Sequence, residues 1–169
     1  MSEVTIRPAR EDELPAVGEL TFEAYQANGY LTGREDGFYA QQLRNARPRY
    51  EQAELLVAVD EDDTILGTVA IARHGTPWRE IGGPDQLEFR MLAVSPAARG
   101  RGVGEALTRR VLDRAVELGC TAVVLCSSEL MHAAHRLYER LGFYRTPELD
   151  WRPEPDVPLL AYRLDLASA

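Results

Sequence analysis

The segment that most restricts the fold lies mid-chain: LEFRMLAV (87–94), then SPAARGR (95–101), then GVGEALTRRVLDRAVELG (102–119). The first part reads as a strand. The last carries apolar residues at helical spacing and is long enough for about five turns. Between them Pro96 stops the strand, and Gly100, Gly102 and Gly104 are interleaved with Arg99 and Arg101. Glycine is a poor helix former, so three glycines where a helix starts serve something other than helix stability. A strand that feeds a long helix through a short turn needs a sheet to join and a sheet face to cover, which points to a layered domain.

The flanking chain supplies both. VTIRPA (4–9) alternates as an opening strand, and 11–29 reads as a helix with acidic residues early, where they suit the helix dipole. A second, short helical stretch covers 37–52 and closes near Pro48. AELLVAVD (53–60) and TILGTVAIARH (64–74) are strands joined by an acidic turn, a hairpin. Residues 75–86 form a Gly/Pro loop. TAVVLCSS (121–128) is a β-branched strand buried on both faces, and 131–142 is a helix ending at Gly142. FYRTP (143–147) and PLLAYRLDL (158–166) supply the last strands, joined by a proline-rich loop over 147–158. The order β-α-α-β-β-β-α-β-α-β-β describes one α/β domain with a mixed sheet, spanning 1–169 with a core of about 4–166.

Composition narrows the function. The formal charge of −8 argues against a nucleic-acid binder, and the short RGRG run cannot reverse that. All 19 basic residues are arginine, which removes Schiff-base lysines and the P-loop lysine. No apolar run approaches a membrane span, and MSEVTIRPAR lacks a signal-peptide core, so a cytoplasmic location is expected. Cys120 and Cys126 suit a reducing compartment and are too few for a zinc site or a disulfide framework. No metal is expected. His132 and His135 stand three apart on a helix but have no second ligand pair.

Three chemistries compete for the Arg/Gly segment. A dinucleotide turn needs glycine at 105, where Glu105 stands. A P-loop needs the missing lysine. A pyrophosphate cradle needs helix-start N–H groups, glycines that let the anion approach, and arginines at the rim. The third fits, against the plain alternative of a flexible surface loop.

Arg99, Gly102 and Gly104 match the spacing [Q/R]-x-x-G-x-[G/A], LAVSP precedes them, and HRLYERLGF (135–143) follows downstream. In these motifs and in its order of elements the chain resembles the Gcn5-related N-acetyltransferases. That resemblance implies a mostly antiparallel sheet of about seven strands, with the fourth and fifth splayed apart, flanked by four helices. It implies an acyltransferase of the EC 2.3.1 class that moves an acetyl group directly from acetyl-CoA to a primary amine of a small molecule or peptide. The rival is a non-catalytic acyl-CoA-binding sensor on the same fold. A homodimer is compatible with the family's habit; neither nucleic acid nor membrane is expected as a partner.

The resemblance also distributes roles. Arg99, Gly100, Arg101, Gly102, Val103 and Gly104 would hold the pyrophosphate. Leu92, Ala93 and Val94 would offer a strand edge to the pantetheine arm, with the amide near Leu92 polarising the thioester carbonyl. Tyr138 would protonate the leaving thiolate. Met131 stands where the family often has asparagine, so Ser127, Ser128 or His132 supplies that polar contact, or nothing does. Glu88 resembles the family's glutamate on the fourth strand. Strand alternation puts it on one side with Arg90, Leu92 and Val94. It reads as a base, direct or through water, with a salt bridge to Arg90 or a neighbouring strand as the alternative. Cys126 reads as a small buried residue rather than a nucleophile. Tyr25, Tyr30, Phe38 and Tyr39 near the first helices, with Trp151 opposite, are the candidate acceptor pocket.

Overall fold

The computed structural model describes residues 3–31, 33–154 and 157–167. Its strands are β1 Thr5–Pro8, β2 Glu54–Val59, β3 Ile65–Ala72, β4 Gln86–Val94, β5 Ala122–Ser128, β6 Tyr144–Arg145, β7 Trp151–Glu154 and β8 Val157–Asp165. Its helices are α1 Leu14–Ala27, α2 Phe38–Arg44, α3 Arg47–Gln52, α4 Val103–Glu117 and α5 His132–Leu141. The strands form a single sheet in the order β1-β2-β3-β4-β5-β8-β6, with β7 also on β8. Among the described residues only the β4–β5 pair is parallel.

Helices cover both faces. Leu107 and Val111 of α4 and Tyr138 of α5 pack with Leu56, Val69, Ile71, Phe89 and Leu125. On the opposite face Leu14 and Val17 of α1 meet Leu55, Val57 and Ala70, while Phe22 and Leu43 meet Ala72 and Met91. Burial on two faces explains why β2 reads as a continuous apolar run rather than an alternation.

Eight strands and five helices stand where about seven and four were expected. The additional helix arises because the 37–52 stretch breaks at Asn45, after which Pro48 sits in the first turn of α3. Proline lacks the N–H a continuous helix would require there, but a first turn leaves that N–H unpaired in any case. The additional strand, β7, lies inside the proline-rich stretch read as a loop. An edge strand tolerates a proline such as Pro153 because its outer side needs no ladder donor.

Two features of β4 create the site. It pairs with β5 only at Gln86↔Ala122, Leu87↔Val123 and Glu88↔Val124, after which the strands part. The expected splay therefore opens directly beyond Glu88. Against β3 the register steps from Ala70↔Arg90 to Thr68↔Ala93, so that Met91 and Leu92 together face Val69. Met91 takes a φ of 55° to accommodate this bulge. The bulge corrects the expected facing. Leu87 and Phe89 share the α4–α5 side with Leu92 and Val94, whereas Met91 and Ala93 pack toward α1 and α2. Glu88 and Arg90 therefore do not lie on the same side as Leu92 and Val94.

Candidate active site

The turn after β4 places an open groove at the start of α4. Ala106 donates to the Gly102 carbonyl, the first bond of the helix. The amides of Val103, Gly104 and Glu105 therefore have no helical acceptor, and no side chain caps them. Gly100 and Gly102 hold φ of 80° and 76°, a backbone that side chains strain to adopt, and a Cβ on either would point into open space. Gly104 is small for a different reason: a Cβ there would meet Leu137 Cδ2 of α5 at 3.3 Å. The groove, about 330 Å³, is lined by Leu92, Ala93, Val94, Arg99, Gly100, Gly102, Val103 and Gly104. Arg101 and Ser127 are not among its walls.

Other residues complete the groove. Arg99 reaches back to α1, bonding Asn28 Oδ1 at 3.3 Å and the Ala24 carbonyl at 3.5 Å. Asn28, Glu105, Leu137 and Arg140 also line it. Glu105, the residue that spoils the dinucleotide pattern, is bridged by Arg140 at 3.0 Å and Arg109 at 3.3 Å. Those guanidiniums hold its carboxyl below the usual range, Arg140 contributing most. Arg140 carried no sequence signal, because its partner is 35 residues away.

A second chamber of about 350 Å³ lies at the β4–β5 fork, lined by Phe89, Arg90, Met91 and Leu92 of β4 and by Leu125 to Ser128 of β5. Tyr25, Leu92, Met131 and Ala134 border both spaces, so the two meet at the bulge. Tyr25, Tyr30 and Tyr39 form one wall, with ring centroids 5.4–6.3 Å apart. Phe38, Arg34 and Gln42 extend it, and Cys126, Ser127 and Ser128 of β5 face it. Trp151 lies on β7 and does not border the chamber; Pro153 of the same strand does. Ser127 thus belongs to this chamber rather than to the groove.

Tyr138 stands in the chamber wall, 4% exposed, among Phe89, Phe143 and Tyr162 with ring centroids 5.7–5.9 Å away. Its hydroxyl has no hydrogen-bond partner among the described residues. Burial first, then nearby Tyr162, raises its pKa, so the phenol keeps its proton at neutral pH. Cys126 lines the same space, but burial, with Glu80 and Glu88 adding to it, pushes its thiol up to about 12. A thiol held protonated is a poor nucleophile. His135 Nε2 contacts the Ser128 carbonyl at 2.9 Å, which accounts for that histidine in structural terms.

Glu88 is fully buried and is not part of either wall. Its Oε1 accepts the backbone N–H groups of Glu80, Ile81 and Gly82, each at 2.9 Å. Its Oε2 is buried without a partner among the described residues. The alternative reading, a salt bridge to Arg90, is absent among the described residues: Arg90 pairs with Glu80 at 3.1 Å instead. Glu80, which lay in a stretch read only as a loop, is the carboxylate that borders the chamber.

The model of the Acetyltransferase (GNAT) family matches residues 14–143. The chain belongs to this family. Among its relatives, an uncharacterised N-acetyltransferase of Schizosaccharomyces pombe is 34% identical over 103 residues, 61% of this chain and 59% of the yeast protein. Human N-acetylaspartate synthetase is 36% identical over 104 residues, 61% of this chain and 32% of the human protein. The chain thus spans at most three-fifths of these two relatives. A GNAT acetyltransferase structure from Staphylococcus aureus superposes with a TM-score of 0.75 at 15% identity, covering 98% of this chain and 100% of that one. YncA from Salmonella typhimurium, solved with its cofactor acetyl-CoA, gives 0.68 at 23% identity, covering 99% and 96%. At these identities the two structures establish a shared GNAT fold.

Proposed function

We infer that this protein is an acetyl-CoA-dependent N-acetyltransferase that passes the acetyl group directly to a primary amine of a small molecule or peptide. The observation that carries this reading is the junction of two chambers at Tyr25, Leu92, Met131 and Ala134. One chamber ends at uncapped helix amides, and the other holds a protonated phenol and a carboxylate. The relatives named as N-acetyltransferases and the acetyl-CoA held by YncA on the same fold support it.

The residues present fit acetyl-CoA. The amides of Val103, Gly104 and Glu105 at the positive end of α4 would take the pyrophosphate, with Gly100 and Gly102 clearing its approach and Arg99 at the rim. Leu92, Ala93 and Val94 would hold the pantetheine arm beside the fork. Met131 brings an apolar thioether to the junction where the family often has asparagine. When bound, acetyl-CoA supplies an activated acyl carbon and a thiolate leaving group.

An alkylammonium with a pKa near ~10 cannot attack until a base removes a proton. In becoming an amide it loses two. The first passes to a carboxylate and from there to solvent. The second is shed as the C–N bond replaces the C–S bond, and it restores Tyr138 Oη, which has given its own proton to the departing sulfur. Two free cysteines fit a reducing compartment, and we place the reaction in the cytoplasm.

The test is purified protein with acetyl-CoA and a panel of amino acids, amino sugars, polyamines and short peptides. Amine-dependent thiol release, matched by acetylated product in mass spectra, is expected for at least one class. Acetyl-CoA binding without amine-dependent turnover on any of them would overturn the reading in favour of a sensor. Within the groove, Gly102→Ala forces a left-handed alanine at roughly 1–2 kcal/mol. The expected result is acetyl-CoA binding weakened by about tenfold in calorimetry, with the far-UV spectrum unchanged.

A further inference from the structure

We propose that Glu80 is the carboxylate that takes the proton from the acceptor ammonium, and that Glu88 is a positioning residue that aims it. This rests on the N-acetyltransferase reading above. The loop between β3 and β4 is held from beneath: one oxygen of Glu88 gathers three successive amides, those of Glu80, Ile81 and Gly82. Gly82 lies so close over that carboxylate that a Cβ would touch Glu88 Oε1 at 3.4 Å. Above, Trp78 Nε1 donates to Gln52 Oε1 at 3.1 Å, and Arg79 Nη1 donates to the Gly82 carbonyl at 3.0 Å. A loop rich in glycine and proline is thereby fixed at its centre, and the side chain it turns into the acceptor chamber is that of Glu80.

The surroundings of Glu80 suit a base. Its side chain is 15% exposed and pairs with Arg90 at 3.1 Å. Arg90 is in turn placed by the Trp78 ring, 5.2 Å from its guanidinium carbon, and by the Trp78 carbonyl at 3.3 Å. The groups that face Glu80 are Arg90 and Glu88 from β4, Tyr39 from α2 and Cys126 from β5. Burial raises the Glu80 pKa above the ordinary carboxylate value; Arg90 opposes the rise and Glu88 adds to it. A carboxylate moved toward neutrality accepts a proton from an amine more readily than an exposed one. Glu88, by contrast, has one oxygen committed to three amides and neither oxygen in the chamber wall.

The experiment compares pH–rate profiles of wild type, Glu80→Gln, Glu80→Asp and Glu88→Gln with the amine that the panel identifies, alongside melting temperature and acetyl-CoA affinity. For Glu80→Gln the expected result is kcat/KM at pH 7 lower by about 10²–10³, with the acidic limb replaced by a rise that follows the free-amine fraction. Glu80→Asp should recover part of the rate and keep the limb. An acceptor whose amine is already uncharged at neutral pH should be nearly indifferent to Glu80→Gln. Glu88→Gln should melt lower, lose rate less than Glu80→Gln, and keep the limb. Side-chain ¹³C titration of glutamate-labelled wild type, with Glu80→Gln to assign the resonance, should place Glu80 above the ordinary range. The assignment is overturned if Glu80→Gln keeps the wild-type profile, or if Glu88→Gln alone removes the limb. It is also overturned if the Glu80 resonance titrates in the ordinary range. Should Glu88→Gln fail to fold, the two Glu80 variants and the titration still decide. Absence of wild-type turnover defeats the N-acetyltransferase reading, whereas turnover that survives Glu80→Gln defeats this assignment alone.

Discussion

Tyr138→Phe is expected to lower kcat by about 10²–10³ while leaving acetyl-CoA affinity within a fewfold and stability within about 1 kcal/mol. The rate loss is the usual size for removing a positioned general acid. Burial keeps the phenol protonated through the neutral range, so the wild-type residue always has the proton that a departing thiolate needs. The substitution removes one oxygen and keeps the ring. That ring packs between Phe89, Phe143 and Tyr162, and a swap that conserves its volume there is well tolerated. The hydroxyl has no partner among the described residues, so its removal leaves no donor or acceptor stranded. Pre-steady-state thiol release, paired with acetyl-CoA titration and thermal melts, separates these effects. A kcat within twofold of wild type would show that Tyr138 is only a packing residue.

Arg49→Leu is the largest stability effect expected: a loss of roughly 3–5 kcal/mol. Arg49 is 0% exposed and stands at the meeting of α1, α2 and α3. It donates to the carbonyls of Gln42 at 3.1 Å, Leu43 at 2.9 Å and Asn45 at 3.3 Å, and to Thr21 Oγ1 at 3.3 Å. Three of these acceptors lie at the C-terminal end of α2, where carbonyls have no helical donor and carry partial negative charge. Burial lowers the guanidinium pKa to about 10, which leaves it charged at neutral pH. Leucine would fill part of the volume and leave the three carbonyls buried and unpaired. A chain of this size has a urea m-value of about 2 kcal/mol/M, so the midpoint should fall by about 1.5–2.5 M. Arg49→Lys keeps the charge but not the fork, and should fall between the two. Since α2 also carries Phe38, Tyr39 and Gln42 to the second chamber, the proposed acceptor site, surviving Arg49→Leu protein should show a raised KM for the amine at unchanged acetyl-CoA affinity.

How much of this was legible in advance depends on the range of the contacts involved. The strand-turn-helix unit over 87–119, the groove it forms and the eight groove residues from Leu92 to Gly104 are local in sequence. Turn glycines, helical spacing and a strand stop by proline report on each other within thirty residues. The motif around Tyr138 is equally local. The chamber's tyrosines were visible only as a cluster of aromatic letters near the first helices. Trp151 was misplaced because a single strand edge, not composition, decides which residues of 151–154 reach the chamber.

Glu88 is the instructive case. A carboxylate inside an apolar strand is unusual, and alternation aims it at the cleft. Alternation fails at Met91, where one extra residue in β4 shifts the pleat by one position. Nothing local to β4 marks that shift: it exists because β3 and β4 pair in two registers on either side of it. The loop amides that occupy Glu88 come from six to eight residues earlier, in a segment with no periodic signal.

The layered α/β class, the order of its elements, the glycine-rich turn before α4 and the tyrosine motif on α5 are thus legible in the chain alone. Each of these follows from backbone preferences and spacing along one stretch of chain. Only long-range contacts fix where the fork opens, which carboxylate lines the second chamber, and that a buried arginine binds the first three helices together. Those outcomes depend on which distant segments share a face or a hydrogen bond, and side-chain pairing across the sheet settles them.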